Sequence, residues 1–184
     1  MGKLSDPKSM VIRKMVPDDL DAVLRILAKW NMAPVSASRE IPDPERSTIH
    51  LANTFVACDG DAVVGVASYI DLSLYIAETA SLAVDPAYKG CGIGFRLQEA
   101  RLEEMVRRGF HKVVSETDRP MTIDWYIRHF GYRIVGTHPK KHTFSLPDVD
   151  QWTVLELDLA KYEAQKTGAP GCQTRAAGRL SSGS

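Results

Sequence analysis

The sequence predicts one α/β (α+β) domain, with a mixed, mainly antiparallel central sheet and helices on both of its faces. Hydrophobic periodicity gives the order strand, helix, three strands, helix, strand, helix, two strands. Asp59-Gly60 is a strong hairpin-turn signal between two of these strands. The chain has 184 residues, 44% hydrophobic and 25% charged, which supplies apolar side chains for one core. Elements in this order pack as a sheet between helical layers.

The first part of the chain predicts a strand, a helix and a long loop. Residues 1–10 are expected to be flexible, and the domain to span residues 11–162. Residues 11–16 predict a strand, and Pro17 then opens a helix whose apolar residues recur at helical spacing from Leu20 to Leu27. In residues 31–49 the helical spacing of apolar residues ends, and prolines, serines and mixed charges follow. We therefore expect a long loop there, with a short helix near residues 45–50.

The remaining elements follow from alternation, turns and a helix stop. Residues 53–58, 62–70 and 75–84 predict three strands. A helix is expected over residues 95–108, ended by Gly109, and another over residues 122–130. Further strands are expected at residues 112–116, 132–136 and 152–159. Residues 163–184 are rich in Ala, Gly, Ser and Thr, which predicts a disordered tail.

Charge and cysteine usage exclude several classes of protein. The 23 basic and 23 acidic side chains cancel, so nucleic acid is not expected as a partner. No window approaches the roughly 20 apolar residues of a membrane span, and we expect a cytoplasmic protein with no membrane partner. The cysteines are Cys58, Cys91 and Cys172, too far apart for a zinc site or a disulfide framework. We expect no metal.

A glycine-rich turn concentrates the chemistry. Residues 81–94 pass from a strand through the glycines Gly90, Gly92 and Gly94 into a helix. A loop without Cβ atoms can bring backbone N–H groups close to a phosphate, and the helix N-terminus adds positive partial charge. The dinucleotide fingerprint and the Walker loop both fail on spacing. The spacing that fits is Lys89, two residues, Gly92, one residue, Gly94.

A second motif lies at residues 124–132, which read Asp-Trp-Tyr-Ile-Arg-His-Phe-Gly-Tyr. With this motif and the glycine turn, the chain resembles the GNAT superfamily of acetyl-CoA-dependent N-acetyltransferases. The family signature is Arg or Gln, two residues, Gly, one residue, Gly or Ala. Lys89 departs from it, because lysine keeps the charge but lacks the planar fork of arginine. The resemblance runs from about residue 11 to residue 159.

The resemblance implies acetyl-CoA as co-substrate and direct attack by a primary amine in a ternary complex. It implies that the backbone at Leu82 and Val84 pairs with the pantetheine arm, and that a Leu82 N–H reaches the thioester oxygen. The glycine turn would bind the pyrophosphate. The cofactor-binding residues that follow are Leu82, Ala83, Val84, Lys89, Gly90, Cys91, Gly92, Ile93, Gly94 and Phe95.

Tyr126 and Glu78 are the candidate catalytic residues. Tyr126 matches the family tyrosine near the coenzyme A sulfur, and a phenol is a reasonable proton donor to a thiolate. Glu78 lies six residues before Val84, at the distance where some family members carry a glutamate base. A period of two puts Glu78 on the same face as Leu82 and Val84 unless a bulge intervenes. Burial is expected to raise its pKa, with ordered water as the alternative base.

The acceptor and the assembly are left open by the sequence. A small amine, an amino acid, a protein lysine and a protein N-terminus all fit, and a homodimer is one option for the oligomeric state. We expect the acceptor between residues 32–50 and the loop before Gln151. A second function class is an inactive acyl-CoA-binding sensor or interaction module of the same fold. A third is a nucleotide-phosphate binder that uses the same glycine turn.

Overall fold

The computed structural model describes residues 10–32, 49–140 and 145–168. Within these ranges it has seven strands and four helices. In chain order they are β1 (Val11–Lys14), α1 (Leu20–Ala28), β2 (Thr54–Asp59), β3 (Ala62–Asp71), β4 (Ile76–Val84), α2 (Ile93–Arg107), β5 (Lys112–Thr117), α3 (Pro120–Phe130), β6 (Arg133–Pro139), β7 (Gln151–Asp158) and α4 (Leu159–Thr167). None of the helices in these ranges combines the length and the apolarity needed to cross a membrane.

All seven strands form one sheet in the order β1-β2-β3-β4-β5-β7-β6. The β4–β5 pair is parallel and every other neighbouring pair is antiparallel. The β2–β3 hairpin turns at Gly60, whose φ of +59° suits glycine. The predicted mixed, mainly antiparallel sheet is confirmed.

Helices cover both faces of this sheet, as the sequence predicts. Successive residues of a strand point to opposite faces. In β2, Phe55 and Ala57 join the buried cluster that contains the apolar side of α2. Val56 and Cys58 join the cluster that contains α1. We call these two surfaces the α2 face and the α1 face.

Strand β4 breaks its regular pairing on both sides. Against β3, Leu82 pairs with Ala67 but Thr79 pairs with Tyr69, so β4 carries one extra residue, a β-bulge. Against β5, pairing ends at Thr79 and Ser115, although β4 continues to Val84. The strands therefore part beyond Thr79 and leave one edge of β4 unpaired by β5.

The structure differs from the prediction at two helix starts and in one additional helix. Helix α2 begins at Ile93, two residues early, because Gly92 in the left-handed region serves as its N-cap. Helix α3 begins at Pro120, where proline suits the first helical turn. Residues 159–167 form α4, a helix that the sequence did not predict, and residues 163–167 of it were expected to belong to a disordered tail. Apolar contact explains this, since Tyr162 is buried, and Lys166 pairs with acids of α2.

Several predictions lie outside the described residues. These are the flexible start over residues 1–9, most of the long loop with nearly all of its short helix, and the tail beyond residue 168.

Candidate active site

A cleft of about 830 Å³ opens where β4 and β5 part. Its walls include β4, the glycine turn, the first turn of α2, and α3. Of the predicted site residues, those that line it are Glu78, Leu82, Ala83, Val84, Lys89, Gly90, Gly92, Ile93, Gly94 and Tyr126. The strand divergence thus brings both predicted motifs to one cavity.

The glycine turn adopts a conformation that glycine favours. Gly90 has φ of +83° and Gly92 of +72°, and a Cβ at either position would meet no atom within 4 Å. The space beside them is open. The N–H of Arg96 donates to Gly92 O at 3.2 Å, so the N–H groups of the preceding helical residues have no acceptor within the helix. Those residues are Ile93, Gly94 and Phe95.

Not every residue predicted for the cofactor faces the cleft. The Cys91 N–H donates to Tyr88 O at 3.3 Å, so this group is already engaged inside the turn. The Phe95 ring stacks on Phe130 with centroids 5.0 Å apart, so only its backbone points toward the turn. Lys89 is exposed at the rim of the cleft.

Hydrogen bonds show which edge of β4 the main-chain groups face in the segment that is not paired with β5. The Asp85 N–H donates to Val64 O of β3 at 2.8 Å. Backbone groups alternate along a strand, so those of Val84 point to the opposite edge. The Trp30 indole N–H donates to Val84 O at 2.8 Å, which agrees with that direction.

The same alternation sorts the three residues predicted to hold the pantetheine arm. The backbone groups of Leu82, like those of Val84, face the open edge. Ala83 pairs with Val66 on β3, and its side chain packs in the cluster on the α1 face. The main-chain N–H and C=O groups of Leu82 and Val84 therefore point toward the cleft, whereas those of Ala83 bond to β3.

Glu78 lies on the α1 face, and the bulge is the reason. It pairs with Ile70, whereas its neighbours Ala77 and Tyr69 belong to the α2-face cluster. Leu82 packs against that α2-face cluster as well. Glu78 therefore does not share a face with Leu82 and Val84, because the bulge named as the exception to that expectation is present and reverses the alternation between them.

The environment of Glu78 favours its neutral form. Burial, the largest cause, and the negative charge of Glu116 together raise its pKa to about 7, while His138 opposes the shift. Glu116 contacts His138 Nε2 at 2.9 Å, while Nδ1 of the same ring lies 2.9 Å from Pro139 O. The His138 ring therefore lies between the Glu116 carboxylate and the Pro139 carbonyl. Within the described ranges no cation is paired with Glu78.

Tyr126 lies on the other side of the sheet. Its side chain is 3% exposed and belongs to the α2-face cluster. The Tyr126 hydroxyl accepts a hydrogen bond from Arg101 of α2 at 2.8 Å. Its ring lies 4.9 Å from that of Tyr132, whose hydroxyl accepts from Gln98 at 3.1 Å.

Sequence reasoning missed Arg101 and Gln98. Both are fully buried, and Arg101 Nε donates to Gln98 Oε1 at 2.5 Å. A signal was present, because the two polar residues stand within the apolar side of the helix, among Leu97, Leu102 and Met105. A polar side chain inside an apolar stripe indicates a buried hydrogen-bond network.

Comparison with known proteins decides the family. A family model described as the acetyltransferase (GNAT) family matches residues 20–132, more than half of the chain. The chain belongs to the GNAT acetyltransferase family. The matched region includes β4, the glycine turn, α2 and α3. No curated protein shows significant sequence similarity to this chain.

Solved structures of other GNAT proteins share the fold. The ribosomal-protein-S18-alanine N-acetyltransferase from Escherichia coli is 19% identical with a TM-score of 0.65, over 82% of this chain and 94% of that one. The protein yncA from Salmonella typhimurium, solved with its cofactor acetyl-CoA, is 20% identical with a TM-score of 0.62, over 82% and 94%. A GCN5-related N-acetyltransferase from Kribbella flavida is 19% identical with a TM-score of 0.61, over 83% and 99%.

The α1-face end of the cleft in this GNAT protein is built from aromatic, aliphatic and titratable side chains. Trp30, Ile70, His138 and Trp152 line it. Lys140 lies before Gln151, in the region where we expect the acceptor, but it forms a buried ion pair and is not free to contact a ligand. Its partner is Asp118, at 2.7 Å.

The described part of this GNAT protein contains no group of three or more His, Cys, Asp or Glu side chains arranged to hold a metal ion.

Proposed function

We propose that this protein moves the acetyl group of acetyl-CoA to a primary amine by direct attack in a ternary complex. The observation that carries the proposal is a single cleft at the divergence of β4 and β5. Unbonded N–H groups and a glycine turn lie at one end of it, and a carboxyl group with a raised pKa lies at the other. The cleft therefore offers groups that suit the cofactor phosphates at one end and the acceptor amine at the other.

The turn end fits the pyrophosphate of coenzyme A. Gly90 and Gly92 leave open space where side chains would stand, and Ile93 and Gly94 begin the helix with N–H groups that have no intrahelical acceptor. Lys89 supplies a positive charge at the rim. The β4 edge would pair with the pantetheine amides as another strand does, through the main-chain groups of Leu82 and the N–H of Val84, whose carbonyl oxygen already accepts from Trp30.

Glu78 is the proposed general base. An ammonium has no lone pair, so the acceptor must lose a proton before attack. A carboxyl group with a pKa of about 7 is partly ionised near neutral pH and holds the proton tightly enough to take it from the amine, directly or through water. Among the described carboxylates that line the cleft, Glu116 contacts His138 and Asp85 pairs with Lys29, which leaves Glu78 for this task.

Leu82 and Tyr126 complete the proposed chemistry. The Leu82 N–H, on the open edge of β4, would stabilise the oxyanion that forms when nitrogen attacks the thioester carbon. When the carbon–sulfur bond breaks, the Tyr126 O–H would protonate the leaving thiolate. Glu78 already holds the proton taken from the ammonium, so the nitrogen loses its second proton to water, which balances the proton delivered to sulfur.

The test is release of free thiol from acetyl-CoA in the presence of a panel of primary amines. The E. coli neighbour is a ribosomal-protein-S18-alanine N-acetyltransferase, so the panel includes peptides with an N-terminal alanine beside lysine peptides, polyamines and amino acids. Thiol release that depends on one amine class supports the proposal. Tight acetyl-CoA binding without release for any amine would instead favour the inactive sensor.

A further inference from the structure

Arg101 is a buried arginine in the middle of α2. Its side chain is 0% exposed. It donates to Gln98 Oε1 at 2.5 Å, to Ser68 O at 2.9 Å, to Ala80 O at 3.3 Å and to the Tyr126 hydroxyl at 2.8 Å. Its acceptors are neutral groups. Among the residues that the structure describes, no carboxylate forms an ion pair with it.

A buried cation without an anion is costly, because burial removes it from water and no opposite charge compensates for the loss. Arginines in cores are usually paired for this reason. The acceptors around Arg101 offer only dipoles, and of these groups only the Tyr126 hydroxyl can itself become an anion. The site therefore holds a positive charge beside a group that can acquire a negative one.

The direction of the contact fixes where the Tyr126 proton can go. A guanidinium has donors only, so the Tyr126 oxygen accepts and its own proton remains available for another acceptor. Tyr126 lines the cleft, and Tyr132 does not. Tyr132 accepts from the neutral Gln98 amide, and burial raises its pKa far above the usual value. The two neighbouring tyrosines thus differ in the donor that their hydroxyl accepts from and in their access to the cleft.

We propose that Arg101 is a positioning residue that directs the Tyr126 proton into the cleft and stabilises the phenolate left after proton transfer. This inference rests on the proposed function. In the step concerned, the Tyr126 O–H bond breaks and an S–H bond forms on the coenzyme A thiolate. The O–H electron pair stays on the phenolate oxygen beside Arg101. Cleft water returns a proton to the phenolate, and the acetylated nitrogen releases one to the same solvent.

Arg101 also ties this acid to the part of β4 that opens the cleft. Ser68 and Ala80 stand on either side of the bulge, and the guanidinium bonds both carbonyl oxygens. One side chain therefore holds the strand distortion and the phenol in a fixed relation. A purely structural role at the bulge is the alternative that an experiment must separate.

A double-mutant cycle on kcat separates the two roles. Arg101→Met removes the charge at similar volume, and Tyr126→Phe removes the acid. If Arg101 acts through Tyr126, Arg101→Met lowers kcat about 30-fold in the parent but less than about 3-fold in the Tyr126→Phe background, with acetyl-CoA affinity changed little in both. Equal losses in both backgrounds overturn the proposal. Tyr132→Phe, which removes a neighbouring buried hydroxyl, is the matched control and should keep kcat near the parent value.

A second measurement needs no acceptor amine, so it tests the role of Arg101 even if the double-mutant cycle cannot be carried out. In protein labelled with ¹³C at tyrosine Cζ, the Tyr126 signal is the one missing from Tyr126→Phe. Addition of coenzyme A should shift this signal in the parent and less in Arg101→Met, or in Arg101→Gln if the methionine variant does not fold. An equal shift in parent and variant, or none in the parent, overturns the proposal. If the parent acetylates no amine, the proposed function fails, and this spectrum alone decides the role of Arg101.

Discussion

Glu78 and Tyr126 reach one cleft from opposite faces of the sheet. Glu78 lies on the α1 face beside Ile70, and Tyr126 lies in the cluster on the α2 face, yet both line the gap where β4 and β5 part. The one-residue bulge in β4 produces this arrangement. In the proposed reaction, the acceptor would enter from the α1 face and the thiolate would leave toward the α2 face, as direct attack in a ternary complex requires.

Glu78→Gln should remove the acid limb of the pH profile. With a pKa of about 7, Glu78 is about one tenth ionised at pH 6 and about nine tenths ionised at pH 8, so parent kcat/KM should rise across this range. The variant should lose about 100-fold at pH 8 and show no rise of this origin. Initial rates of thiol release between pH 5.5 and pH 9 measure both effects.

The control for this profile is Glu116→Gln. Glu116 raises the pKa of Glu78, so its neutralisation should move the acid limb to lower pH while the limb itself persists. A Glu78→Gln profile with the same limb as the parent would assign the base to water.

Glu78→Gln should also change the pH dependence of the free energy of unfolding, in the direction opposite to its effect on the rate. The pKa of Glu78 is raised in the folded protein from 4.5 to about 7, so the stability it contributes at low pH is lost as pH rises through this window. Glutamine has no such loss. Glu78→Gln should therefore gain on the parent by about 1–2 kcal/mol between pH 5 and pH 8, a value reduced for partial exposure. Urea unfolding at both pH values measures it, and a constant difference would contradict the raised pKa.

The sequence predicted the strands and helices well because their signals are local. Alternation, the Asp59-Gly60 turn and the stop at Gly109 each act within a few residues. The glycine turn was also found, since it depends on residue type and spacing. These features needed no knowledge of distant contacts.

The face of Glu78 could not be predicted, because it depends on a tertiary contact. The bulge is held by Arg101, which reaches Ser68 O and Ala80 O from a helix more than twenty residues later in the chain than the second of these. The alternation of residues within β4 does not by itself predict that contact or the bulge. Local patterns likewise gave no reason to predict a helix at α4, which continues into a segment poor in large apolar residues.

Gly92→Ala should abolish most acetyl-CoA binding without preventing folding. Its φ of +72° costs an alanine about 1–2 kcal/mol, and the added methyl enters the open space proposed for the pyrophosphate. Gly109→Ala is the matched control, because Gly109 has φ of +83°, equally open space and a position outside the cleft. Both variants should lose similar thermal stability, but only Gly92→Ala should lose affinity by at least about 10-fold. Equal affinity in the two variants would refute the pyrophosphate site.

Lys89→Ala should weaken acetyl-CoA binding in a manner that depends on salt. Lys89 is exposed at the cleft rim, so its attraction to a phosphate is screened by ions. We expect a loss of about 5-fold at low ionic strength that shrinks toward about 2-fold in concentrated salt. Lys89→Arg, which restores the family residue, should bind at least as tightly as the parent. A loss in the alanine variant that is independent of salt would argue against a charge contact.

Calorimetric titration of the parent protein with acetyl-CoA, with ATP and NAD titrated in parallel, tests the central claim most directly. The cleft geometry predicts micromolar binding of acetyl-CoA at one site per chain, and much weaker binding of ATP and NAD, which lack the pantetheine arm that pairs with β4. No heat with acetyl-CoA, or ATP bound as tightly as acetyl-CoA, would contradict the assignment of the glycine turn and the β4 edge to coenzyme A.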